Sequence, residues 1–297
     1  MSNILIVGAA VEDKYISAGI IDFTDRIVTG NSLRRKRVDP KGSADEIIEK
    51  WAECIKEVIE SRDPSTIRLG IGIPNLIDYE AGIYLDNDPT RYGSLCNKNI
   101  KVLLGEKLGI PFQNIRISNV DANLLQGEVF AGAARGYKRS FGITLGVGLG
   151  TARFVNNEVQ DANFWKLPFK GSIAEEHLSL RYLLKRFAEL SGIEVEDLME
   201  MKRYHPHAAV EQAFNEFGTS LGEFIEWIIQ TEKPEIVLIG GQMESSYRYF
   251  FETATNYLKA KGIRTPIIKA ILGEKAYVIG GGATWSDLVL PGQAQFA

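Results

Sequence analysis

"SFGITLGVGLGTARFVNNEV", residues 140–159, decides the fold. An apolar run, a turn with glycine at every second position (Gly146, Gly148, Gly150) and a second apolar run read as a β-hairpin. Glycines in such a turn have two readings. They make a tight hairpin, or they let backbone N–H groups approach a phosphate without a Cβ in the way. These residues alone leave both open. The chain begins with a hairpin of the same outline, "ILIVGAAVEDKYISAGIID", residues 4–22. Its turn is Glu12, Asp13 and Lys14, with no glycine and two acidic side chains that repel phosphate.

The segments after each hairpin also correspond. After the first, residues 43–61 carry Ile47, Ile48, Trp51, Ile55, Val58 and Ile59 at helical spacing, with Ser43 and Glu46 forming a capping box. A buried strand follows at 67–74. A helix over 98–108 stops at Gly109, and a strand at 115–118 leads into the small-residue helix "DANLLQGEVFAGAARG". After the second hairpin, helices are expected at 172–190 and 207–230. The latter carries a stripe of Val210, Phe214, Phe217, Leu221, Phe224, Ile225 and Ile228. "PEIVLIGGQM" (234–243) is a short buried strand ending in Gly240 and Gly241, and "AYVIGGGATW" (276–285) closes the fold. The pattern predicts two similar α/β lobes, 1–118 and 119–297, with a ligand cleft between them where glycine-rich strand ends meet. The last helix is expected to return to the first lobe.

The 297 residues are 45% hydrophobic and 24% charged, with a net charge of −4, which describes a soluble globular protein without the basic footprint of a nucleic-acid binder. The one basic cluster, Arg34–Arg37, reads as a solvated turn face. No apolar run is long enough to cross a membrane, no signal peptide is visible, and the two cysteines, Cys54 and Cys96, form no CxxC. A reduced, cytoplasmic protein is expected, without a zinc or redox site. His205 and His207 flank Pro206 in a helix-start loop, and His177 reads as a helix-surface residue.

In this order the chain resembles the ROK family of bacterial sugar kinases over nearly its whole length. The resemblance rests on "LGIGIPNLID" (69–78), "DANLLQGEVFAGAARGY" (121–137), "TLGVGLGTARFVNNE" (144–158), "LGEFIEWIIQTEKPEIVLIGGQM" (221–243) and "IGGGA" (279–283). It implies two ribonuclease-H-like lobes of the actin-like ATPase fold, and an ATP- and Mg²⁺-dependent kinase acting on a hexose or amino sugar. Asp121, which by itself reads equally as a helix N-cap, would be the base that takes the sugar hydroxyl's proton. Gly146, Gly148, Gly150 and Thr151 would form the phosphate turn, and Gly240 and Gly241 would lie against adenosine. Asn75, Asn119, Glu175 and Glu176 would contact sugar. Many relatives are dimers, so a homodimer is consistent with the resemblance.

The family pattern also breaks. Aligned on Ala18, Gly19 and Asp22, Ala10 stands where the family has Asp, and Glu12, Asp13 and Lys14 stand at its Gly-Gly-Thr. The missing Asp would help hold Mg²⁺, and the missing Thr hydroxyl would supply a charge-assisted hydrogen bond worth about 1.5–3 kcal/mol. Glu12 or Asp13 could hold a metal instead and Lys14 meet a phosphate, or the turn is a plain polar hairpin. Val120 replaces Asn before Asp121, "NFWK" (163–166) stands nearest the family's sugar motif, and the cysteine-rich zinc segment is missing. Trp165 and Phe164 could stack on a sugar, although core packing is the default for aromatics. The alternative function is therefore an impaired relative that binds sugar or nucleotide and regulates.

Overall fold

The computed structural model describes residues 4–74 and 77–289. Strands β1 (Leu5–Val11) and β2 (Tyr15–Asp22) form the opening hairpin, with Gly8 opposite Gly19 and Ala10 opposite Ser17. The short strands β3 (Ile27–Val28) and β4 (Arg34–Arg37) both pair with β2. The basic cluster is thus an edge strand rather than a turn. Its exposure alternates along the strand. Arg35 pairs with Glu274 at 2.7 Å and lies over the Tyr15 ring, and Lys36 pairs with Glu57 at 2.7 Å. A charged edge of this kind discourages strand addition.

Helix α1 (Ala44–Ile59) begins at the expected capping box. Ser43 Oγ accepts the Glu46 amide at 3.3 Å, and Glu46 Oε2 accepts the Ser43 amide at 2.8 Å. All six residues of its predicted face are buried in the first core, each contributing about 1.5–3 kcal/mol by leaving water. Next come β5 (Ile67–Ile73), the two-residue strands β6 (Ile77–Asp78) and β7 (Ile83–Tyr84), and α2 (Ile100–Leu108), which stops at the left-handed Gly109. Strand β8 (Ile115–Asn119) and helix α3 (Val120–Ala131) follow. Strands β1, β5 and β8 are parallel, giving the sheet order β3-β2-β1-β5-β8 with β4 beside β2.

The second sheet repeats this plan. Strands β9 (Ser140–Leu145), β10 (Leu149–Val155) and β11 (Glu158–Asp161) form an antiparallel meander. The two-stranded ribbon β12 (Pro168–Phe169) and β13 (Ser172–Ile173) precedes α4 (Leu180–Ser191), α5 (Leu198–Arg203) and α6 (Ala208–Glu232). Strand β14 (Ile236–Gly240), helix α7 (Tyr247–Ala260) and strand β15 (Ile267–Lys269) complete the order β11-β10-β9-β14-β15, with β9, β14 and β15 parallel. The predicted stripe of α6 is buried throughout. The helix expected over 172–190 is instead a strand, a 3-10 turn (Ala174–Glu176) and α4, whose start is fixed by Ser179 accepting the Tyr182 amide. Helix α5 carries no strong periodic signal in six residues.

The chain then returns as α8 (Lys275–Ala283) and α9 (Ser286–Val289). The "IGGGA" glycines lie inside α8, where they let two backbones approach each other. A Cβ on Gly8 would meet the Val278 carbonyl, one on Gly70 the Gly281 carbonyl, and one on Gly280 the Asn123 carbonyl. Contacts therefore group the chain into two compact units, residues up to Gly136 with those from Ile271 onward, and Tyr137–Ala270. This division differs from 1–118 and 119–297 because α3 packs on α8 and α8 on β1 and β5.

Candidate functional site

In the first unit the parallel strands β1, β5 and β8 end together, and α3 starts there. Asn119 caps α3, its Oδ1 accepting the amides of Asp121 at 2.8 Å and Ala122 at 3.1 Å. The capping function read for Asp121 thus belongs to Asn119. Asp121 sits half-buried in the first turn, where the helix dipole favours a negative charge. Val120 is buried, and Asn75 lies outside the described residues. Asn123 is fully buried against Gly72, and its Oδ1 accepts the Ser118 hydroxyl at 2.7 Å. Its Nδ2 has no hydrogen-bond partner among the described residues. Ala10 is registered between Ser17 and Gly72 and is fully buried.

The turn after β1 faces inward with carbonyls. The Tyr92 hydroxyl lies 3.0 Å from the Glu12 carbonyl oxygen and 3.2 Å from that of Asp13. The Glu12 amide donates to the Tyr15 carbonyl at 2.8 Å, and the Val38 amide to the Lys14 carbonyl at 2.9 Å. Tyr92 is buried, edge-on to Trp51 at 5.6 Å, and burial raises the pKa of its hydroxyl. Burial also pushes the Glu12 carboxyl above the ordinary carboxylate range; Arg35 acts against this shift and Glu274 with it.

In the second unit the β9–β10 turn is Gly146–Gly148. The Gly146 amide donates to the Gly148 carbonyl at 3.0 Å, and the Leu180 amide to the Gly146 carbonyl at 2.8 Å. Glu175 Oε2 accepts the Leu149 amide at 3.0 Å, Glu175 Oε1 pairs with Arg181, and the carboxylate fills the space that a Cβ on Gly148 would need. Gly150 and Thr151 are strand residues of β10, opposite Thr144 and Ile143. Thr151 is buried, and its Oγ1 accepts the Phe164 amide at 2.9 Å. These two residues therefore do not belong to the turn. Gly240 ends β14 opposite Thr144, and Gly241, at φ +103°, packs on the Leu145 carbonyl, where a side chain would clash. A side chain at Gly146 would first meet that of Gln242, at an ordinary contact distance. Gly146, Gly148, Glu175, Gly240 and Gly241 are thus brought to the end of the second sheet where β9 and β14 finish.

Glu176, next to Glu175, is exposed. His177 lies 3.0 Å from Ser172 Oγ and packs against Phe169 and Tyr182; burial lowers its pKa, with nearby Lys170 adding to the shift. Phe164 stacks on Phe141 and meets Trp227 edge-on, a core role, whereas Trp165 is exposed. His207 caps α6, its Nδ1 accepting the Ala209 amide at 3.1 Å. Sequence reasoning missed the position of Glu175 at the turn and the role of Tyr92. A residue remote in sequence gives no local signal for either. Asn directly before a helix pattern was a readable signal for the cap.

The first turn lacks the glycines, and Ala10 the carboxylate, that the family pattern sets where phosphate and magnesium bind. The first turn presents carbonyls to Tyr92, and the last amide of the second turn is taken by Glu175. Among the described residues no group of three or more His, Cys, Asp or Glu side chains is placed to hold a metal. No described helix is long and apolar enough to cross a membrane.

The family model described as "ROK family" matches residues 15–163. No curated protein matches by sequence. Solved structures match in fold. A ROK family glucokinase from Streptomyces griseus, in complex with glucose and AMPPNP, has 18% identity and a TM-score of 0.75, covering 94% of this chain and 98% of its own. A ROK hexokinase from Thermus thermophilus has 20% identity and a TM-score of 0.72, covering 94% and 97%. A ROK family transcriptional regulator, homologue of the E. coli MLC protein, has 14% identity and a TM-score of 0.73, covering 94% of this chain and 77% of its own. Both sheet orders and their flanking helices accord with the actin-like ATPase fold of these sugar kinases.

Proposed function

This chain belongs to the ROK family, and on that premise we propose that it binds a sugar without transferring phosphate from Mg-ATP. The observation that carries this reading is the end of β1 and the turn at 12–14, where Ala10 is fully buried and the turn has no glycine and two acidic side chains. A phosphate turn relies on glycine to let backbone N–H groups approach the ligand, and the acidic side chains of Glu12 and Asp13 repel a phosphate. Ala10 removes the carboxylate expected at the end of β1. On the sugar side, Asp121 and the Nδ2 of Asn119 stand at the start of α3 and suit hydroxyl groups. Glu175 has both carboxylate oxygens engaged within the second unit and is not assigned to sugar.

The second reading, an ATP-dependent sugar kinase, is favoured by the retained Asp121 in the first turn of α3. A base there would accept the proton of an attacking sugar hydroxyl. One experiment decides between the two: calorimetric titration with hexoses and amino sugars, with and without Mg-ATP, alongside an assay of ATP consumption. The proposed function requires sugar binding that Mg-ATP does not change, and no sugar-dependent ATP consumption. Sugar-dependent turnover gives the second reading instead.

A further inference from the structure

The turn between β9 and β10 already holds an anion that belongs to the protein. The half-buried Glu175 places Oε2 3.0 Å from the Leu149 amide and Oε1 on the Arg181 guanidinium. Its carboxylate lies where a side chain at position 148 would begin, so a side chain there would push the carboxylate off the turn. The Gly146 amide is engaged by the Gly148 carbonyl, and the Leu149 amide is the turn donor that Glu175 takes. Glu175 is held at this point from both sides. Ala174, which starts the same 3-10 turn, is fully buried with its amide on the Leu167 carbonyl, and the Leu180 amide is tied to the Gly146 carbonyl at 2.8 Å.

A carboxylate on a turn amide with an arginine on its other oxygen matches, in charge and acceptor geometry, one face of a phosphate. We propose that the 146–149 turn is an anion site occupied by Glu175, which closes it to inorganic phosphate and phosphate esters, and that Arg181 is the cation an incoming phosphate would share. A phosphate entering beside Glu175 would meet its negative charge and find the Leu149 donor taken. With the carboxylate removed, the amide and the guanidinium are both released toward the same space. This rests on the reading of a protein that does not handle nucleotide phosphate, and it supplies a second physical cause for that reading.

The test uses inorganic phosphate and pyrophosphate without any sugar, so its outcome is independent of the sugar titration. Calorimetry on wild type is expected to give no saturable binding. Glu175→Ala is expected to bind phosphate at least about tenfold more tightly than wild type, a change of about 1.4 kcal/mol. Adding Arg181→Ala to that variant should abolish the gain. Wild-type binding as tight as that of Glu175→Ala, or no gain in a folded Glu175→Ala, overturns the proposal. Should the variant not fold, the Leu149 amide resonance of the wild type answers the same question. It is expected to stay unmoved as inorganic phosphate is titrated to high concentration, and a saturable shift there overturns the plug.

Discussion

Asn119 Oδ1 accepts the backbone amide of Asp121 at 2.8 Å, so the side chain that caps helix α3 is the one two residues before the acid. Capping and acid chemistry are therefore divided between neighbours. Asn119→Ala should cost about 0.5–2 kcal/mol, read from urea or thermal unfolding, while Asn119→Asp, which caps equally well, should stay near wild type. An Asn119→Ala variant as stable as wild type would remove Asn119 from the cap.

Asp121→Asn leaves that cap in place. Its unfolding free energy should fall within about 0.5 kcal/mol of wild type, as for a substitution outside the named destabilising mechanisms. Its sugar affinity should drop several-fold, because a charged acceptor is replaced by a neutral amide. Unchanged sugar affinity by calorimetry would take Asp121 out of the binding site. If the second reading holds, the same variant should lose on the order of 10²–10⁴ in turnover.

Tyr92 ties the first turn to the core through one hydroxyl shared by two carbonyls, 3.0 and 3.2 Å away. Tyr92→Phe keeps the ring against Trp51 and removes only that donor. The expected loss is about 1 kcal/mol of stability, with faster amide hydrogen exchange at Asp13 and Lys14. Exchange at the turn that does not change would mean that the hairpin is held by its strands alone.

A pH effect follows from the tie between α4 and α6. Arg186 lies 2.7 Å from Glu216 and holds its carboxyl down to about 2, with Gln212 and Tyr182 adding to the shift. The folded pKa lies below the unfolded one, near 4.3. The pair's contribution is therefore present above about pH 4.3 and is lost as pH falls toward about 2. Wild-type stability should decline across that window, and the decline should be shallower in Glu216→Gln. The two groups are partly exposed, so the difference is small in energy and best read as the slope of melting temperature against pH. Equal slopes would remove Glu216 from the acid sensitivity.

The parts of the fold that were legible in the sequence are those set by local rules. The capping box at Ser43, the left-handed stop at Gly109, the α6 stripe and both hairpins fall where periodicity and turn chemistry put them. The parts that were not legible depend on residues far away in sequence. The Arg34–Arg37 run is a strand because β2 offers it an edge, which overrides its charge. Thr151 is drawn out of the turn by the register of β10 on β9. At the candidate site, Gly146 and Gly148 were readable as turn glycines, but Glu175 reaches the turn from 26 residues away, and neither residue announces the other.

Glycine shows the same contrast between local and distant causes, and it yields a sharp prediction. Gly70, in β5, and Gly146, in the β9–β10 turn, are both buried, yet a methyl group would meet different things at each. At Gly70 it would strike the Gly281 carbonyl of α8 and come within 2.7 Å of the Thr284 hydroxyl. The carbonyl belongs to a helix already seated on β1 and β5, so it cannot swing aside as a side chain can. At Gly146 the nearest atom is the Gln242 side chain at 3.5 Å, an ordinary contact. Overpacking against a fixed backbone costs about 1–3 kcal/mol and at times more. Gly70→Ala should sit at or above the upper end of that range, because α8 must separate from the sheet to admit the methyl. Gly146→Ala should lie within about 0.5 kcal/mol of wild type. Parallel thermal melts of the two variants make the comparison. A Gly70→Ala protein as stable as Gly146→Ala would mean that α8 does not hold its backbone against β5 as tightly as the glycine seam requires.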